Sequence, residues 1–105
     1  MSELLSPKDA TNRIREIVRF GEVQTTSHCR LRMTERGFDF QDLISLLLHG
    51  EVLDEPECDE RHGQYRYRVH GTTIDGDSAI AVTVIVGFRS VLVVTIFEGA
   101  DLEQL

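Results

Sequence analysis

The first hydrophobic pattern along the chain is helical. Ala10, Ile14, Ile17 and Val18 recur at i, i+4, i+7 and i+8, which puts them on one helix face. Ser6 is placed to cap that helix, Pro7 fits its first position, Asp9 suits its positive end and Gly21 can stop it. Residues 22–26 read as a short extended piece. A second helix is expected over residues 28–36, with Ser27 as cap and Gly37 as stop. A third should run from an Asp39 cap to His49, before Gly50. Its Leu43, Leu46 and Leu47, flanked by Ile44 and Leu48, are too apolar for a surface helix, so it should be the central one.

After Gly50 the period drops to two. Residues 51–53 suggest a short strand. Residues 64–70 alternate, with Tyr65, Tyr67 and Val69 on one face and Arg66, Arg68 and His70 on the other. Residues 79–86 and 91–97 are β-branched strands, set off by turn residues at 75–78 and 87–90. The expected fold is therefore α+β: N-terminal helices followed by a four-stranded antiparallel sheet with one face under the helices. The uniformly apolar sets, Ile80/Val82/Val84/Val86 and Leu92/Val94/Ile96, are assigned to the covered face. One core of Leu43, Leu46, Leu47, Val82, Val84, Val94 and Ile96 is expected. Thr83 and Thr95 then share the open face with Arg66 and Arg68.

A length of 105 residues suits a single domain that buries a real core without metals or disulfides. Cys29 and Cys58 stand far apart with no C-x-x-C spacing, as expected of reduced thiols in a cytoplasm. No apolar run approaches the ~20 residues of a membrane span, and the N-terminus has no signal-peptide pattern. The net charge of −7 weighs against a nucleic-acid binder, but the distribution is uneven. Residues 1–40 hold seven Lys/Arg and six Asp/Glu, whereas residues 41–105 hold four and twelve. The bases cluster at Arg30, Arg32 and Arg36. The acids cluster at Glu51, Asp54, Glu55, Glu57, Asp59 and Glu60, either as a solvated loop or as a docking ribbon for a basic partner.

Two groups of residues carry candidate chemistry. Arginines and hydroxyls on an open sheet face form a floor for a phosphate-bearing ligand, or else an ordinary solvated face. His28, Arg32 and Arg36 lie at i, i+4 and i+8 along one side of the second helix. The helix dipole at His28 favours the neutral imidazole, the form a general base needs. Core packing of His28, helix-end pairing of Arg36 and surface pairing of Arg32 with Glu35 or Glu60 are the plainer readings.

The run Ser27-His28-Cys29-Arg30-Leu31-Arg32-Met33-Thr34-Glu35-Arg36-Gly37-Phe38, then Gly50-Glu51-Val52, the Arg66-Tyr67-Arg68-Val69 strand and the closing Val93-Val94-Thr95-Ile96 strand resemble a known family. It is the family of unknown function numbered 4258, related to RelE-like and MqsR-like toxin ribonucleases. The resemblance covers residues 25–98, leaving 1–24 as an N-terminal helical extension. It implies a RelE-like fold and a metal-independent endoribonuclease of a toxin–antitoxin pair. His28, Arg36, Arg66 and Arg68 would be catalytic. Arg32, Tyr65, Tyr67, His70 and Thr95 would bind substrate. No cofactor is implied, and the partners would be RNA and a small antitoxin. The competing expectation is a non-catalytic interaction module of the same fold, or a homodimer. A zinc site built from Cys58-x-x-x-His62 with His28 and Cys29 is a third, since those four side chains are ligand types.

Overall fold

The computed structural model describes residues 4–98. Helix α1 (Pro7–Phe20) starts with Ser6 Oγ accepting from the Asp9 amide. It buries Ala10, Ile14 and Ile17, as the spacing predicts. Strand β1 (Glu22–Thr25) follows directly. Helix α2 (Ser27–Arg36) is capped by Thr26 rather than Ser27. Thr26 Oγ1 accepts from the Cys29 amide at 3.0 Å and donates to the Val94 carbonyl at 2.7 Å. The cap therefore also ties the helix to the sheet. Gly37 ends α2 at φ 72°, a left-handed conformation that favours glycine. Helix α3 (Phe40–His49) opens with a full capping box between Asp39 and Asp42.

The sheet is larger than expected and mixed. Six strands occur among the described residues: β1, β2 (Glu51–Val52), β3 (Glu57–Asp59), β4 (Gln64–Thr72), β5 (Ser78–Ile85) and β6 (Ser90–Glu98). Their order is β1-β6-β5-β4-β2, with β3 also pairing on the outer side of β4. The β6-β5-β4 meander and the outer strands β2 and β3 are antiparallel, but β1 lies parallel to β6. The four-stranded antiparallel expectation is corrected on both counts. β1 has too few residues to display an alternation. β3 is acidic and exposed, so no hydrophobic pattern announces it.

The assignment of faces also changes. Tyr67 pairs with Thr83, Val69 with Ala81 and Gly71 with Ala79, and these residues lie under the helices. A β-bulge between Val82 and Thr83 breaks the register with β6, so Val93 and Ile96 both point to the core although two residues, Val94 and Thr95, separate them. The core unites Leu43, Leu46, Leu47, Tyr67, Val69, Ala81, Val93 and Ile96 with the inner faces of α1 and α2. Val82 and Val84 are buried too, but on the second face with Ile80 and outside that cluster, and Val94 is only half-buried. Thr83 belongs to the covered face, where its hydroxyl donates to the Ala81 carbonyl.

Helix α3 packs closely on β4 at two glycines. A Cβ on Gly50 would lie 2.5 Å from the Leu46 carbonyl oxygen and 2.7 Å from that of His70. This approach fixes the height of β4, and with it the side chains that β4 presents. Among the described residues no helix is long and apolar enough to cross a membrane.

Candidate functional site

Strand β4 sorts its side chains by alternation. Tyr67 is 1% exposed, and its hydroxyl accepts from the Leu5 amide at 2.9 Å. Tyr65 is half-buried against the same core. The two tyrosines are thus structural on this geometry, and the ring of Tyr67 is not placed to stack on a base. Arg66, Arg68 and His70 form the row on the second face. Thr95 shares that face: Arg68 is in register with Val82, and Val82 with Thr95.

The row is not bare. Arg66 Nη2 meets Asp59 Oδ2 at 3.0 Å, and Arg68 Nη2 meets Glu57 Oε2 at 3.3 Å. His70 Nε2 stands 3.4 Å from Asp54 Oδ2, within ion-pair range but without hydrogen-bond alignment. Two of these contacts follow from register. Glu57 lies opposite Arg66 and Asp59 opposite Gln64, so each carboxylate reaches the arginine diagonal to it. Asp59 also accepts from His62 Nδ1 at 2.9 Å. The His62 hydrogen bond holds the Asp59 carboxyl below the usual range against opposing desolvation, with smaller help from the His62 amide and charge and the Arg66 charge. The sequence offers these acids only as a solvated loop or docking ribbon and His62 only as a zinc ligand, not as partners of the β4 row. Their signal was the acidic run itself, which needed a strand assignment to be placed beside β4.

The helix half of the predicted constellation lies elsewhere. His28 is exposed in the first turn of α2, and Arg32 and Arg36 are half-buried along it. Arg30 is tied back to Thr25, with Nη1 donating to its carbonyl at 2.6 Å. α2 begins at the β1–β6 edge and packs on β6. β6 and β4 are two strands apart, about 10 Å at the usual spacing. The arginine head groups of β4 lean further outward, to β3. His28 therefore sits on a helix that packs on the covered side at β6, and Arg68 on the second face at β4, rather than around one phosphate-sized point.

The segment with this arrangement, residues 25–98, matches one family profile, described as a domain of unknown function, DUF4258. The chain belongs to the DUF4258 family. No curated protein and no solved structure matches it. In this DUF4258 chain α1 lies outside the matched segment yet supplies core side chains.

Arg66 Nε, His70 Nε2 and Thr95 Oγ1 on the second face are buried with no hydrogen-bond partner among the described residues, as are Arg15 Nε on α1 and Ser90 Oγ at the start of β6. Buried polar groups are nearly always paired, so such atoms point to a ligand or solvent contact. The cysteines do not add to the site. Cys29 is buried and Cys58 exposed, and no group of three metal-donor side chains occurs among the described residues. Burial pushes the Cys29 thiol up to about 11, against the pull of Arg30.

Proposed function

We propose that this chain is an RNA-directed domain of the toxin type, cleaving RNA without a metal ion. The observation that carries the reading is the Arg66–Arg68–His70 row, aligned by alternation on one face of β4 with the orphaned Arg66 Nε in it. Two guanidiniums at alternate positions suit successive phosphate oxygens. The exposed His28 supplies an imidazole in the first turn of α2, beside the β1–β6 edge. An RNA strand seated on the row reaches that imidazole only by wrapping the β1–β6 edge, because the inner side of α2 packs on the covered face and the row lies on the other. In the chemistry such a site can perform, a base takes the 2′-hydroxyl proton, the 2′-oxygen attacks the adjacent phosphorus and the 5′-oxygen leaves with a proton. The arginines stabilise the charged intermediate. Arg36 and Arg32 support the strand where it passes α2, and an antitoxin would cover this face.

The test is cleavage of a structured RNA in excess chelator by the wild type, His28→Ala and Arg68→Ala. Activity in the wild type and its loss in both variants is the expected result. An inert wild type ends the ribonuclease reading.

A second reading, a non-catalytic interaction module or homodimer, is favoured by one other feature. Phe20 is 75% exposed and Phe88 91% exposed, and both line a shallow cavity of about 180 Å³ with Ile17, Gly21 and Arg89. Neighbouring exposed aromatics suit a protein contact. Light scattering across a concentration series tests self-association: Phe88→Ser should reduce the apparent mass if this patch forms the dimer.

A further inference from the structure

The three cations of the β4 row are met by carboxylates from one short segment. Asp54, Glu57 and Asp59 lie within six residues, and their partners His70, Arg68 and Arg66 lie within five. The segment runs antiparallel to β4, so the order of the acids mirrors the order of the bases. Its spacing of alternate carboxylates along an extended backbone resembles that of phosphates along a nucleic-acid strand. Nothing in its burial holds it firmly: Glu57 and Cys58 are exposed, Asp59 is half-buried, and β3 is three residues long. The Arg68–Glu57 pair is exposed and contributes little to stability, whereas the Arg66–Asp59 pair is half-buried. A row of charges on the ligand could replace both.

We infer that the acidic strand β3 is an internal competitor for the phosphate row, occupying Arg66 and Arg68 until an RNA strand displaces its carboxylates. This rests on the RNA reading above and names the regulation of that same site. It also explains how an acidic chain, at −7 overall, can present a basic row without attracting nucleic acid indiscriminately. The ribbon sets a threshold: only a polyanion that engages several of the three cations at once gains enough to open it.

Two manipulations test the inference, read by fluorescence anisotropy of a labelled single-stranded RNA oligonucleotide. Glu57→Gln with Asp59→Asn removes the competing charge and leaves the strand in place. Binding should tighten about fivefold or more, the effect of releasing one pair or two. The opposite manipulation uses the native thiol. Cys58 is exposed and lies directly opposite Tyr65 in register. Cross-strand neighbours have Cβ atoms about 4.5–5.5 Å apart, close to disulfide distance. In Tyr65→Cys, oxidation therefore staples β3 onto β4. The oxidised chain should bind RNA more weakly than the same chain reduced, so any cost of losing the tyrosine cancels. If the acid-to-amide chain binds no more tightly and the staple changes nothing, while Arg66→Ala with Arg68→Ala still abolishes binding, the competitor role is overturned and the RNA reading stands. If neither the wild type nor the acid-to-amide chain binds RNA, both are overturned.

Discussion

The two faces of β4 make different uses of one strand. Inward, Tyr67 and Val69 are locked under α1 and α3, with the Tyr67 hydroxyl committed to the Leu5 amide. Outward, Arg66, Arg68 and His70 are held only by exposed or half-exposed ion pairs. The inner face sets the position of the strand, and the outer face can exchange partners because it contributes little to stability. A site built this way is rigid in its backbone and replaceable in its contacts.

Substitutions should separate the faces by size of effect. Tyr67→Ala should cost about 3–5 kcal/mol, since it empties an aromatic site in the core and removes the acceptor for Leu5. Leu47→Ala, 1% exposed against the same layer, should cost about 2–5 kcal/mol. Denaturant unfolding measures both, and a loss under about 0.5 kcal/mol in either would mean the layer is not the stabilising one. Arg68→Ala should cost at most about 1 kcal/mol by the same measurement while weakening RNA binding. A larger loss of stability would show that the outer face is structural after all.

Smaller effects sharpen the contrast through titration. In the folded chain Asp59 titrates below its ordinary value because His62 and Arg66 favour its charged form. That stabilisation is present above the usual carboxylate pKa and disappears as pH falls through the depressed value, below about pH 4. Melting from pH 5 to pH 3 should therefore lower Tm more in the wild type than in Asp59→Asn. The thiols divide in the same way. At pH 8 the exposed Cys58 should alkylate and the buried Cys29 should not, whereas both should react in denaturant.

Much of the fold was legible, and the reasons are local. Ser6, Pro7, Asp39, Gly37 and Gly50 mark helix ends through short-range chemistry, and α1 and α3 begin and end where those residues put them. On α2 the cap moved one residue, because Thr26 has a partner on β6 that no local pattern shows. The faces of β5 and β6 were not legible. Both alternating sets are apolar, and the bulge opposite Val82/Thr83 shifts the phase partway along. For the candidate site, the β4 row could be read from its alternation and the α2 cluster from its helical spacing. Their separation could not, because it follows from α2 packing on β6 from the covered side while the row lies two strands away on the other face. The acid partners were visible as composition, but only the pairing of β3 with β4 places Glu57 beside Arg68.

The most direct measurement is an NMR titration with single-stranded RNA that follows backbone amides and arginine Nε resonances together. The expected shifts are at Arg66, Arg68 and His70, accompanied by the amides of residues 57–59 as their carboxylates lose their partners, with Arg13 and Arg19 on α1 unmoved. Shifts confined to α1, or none at all at saturating RNA, would contradict a phosphate row on β4.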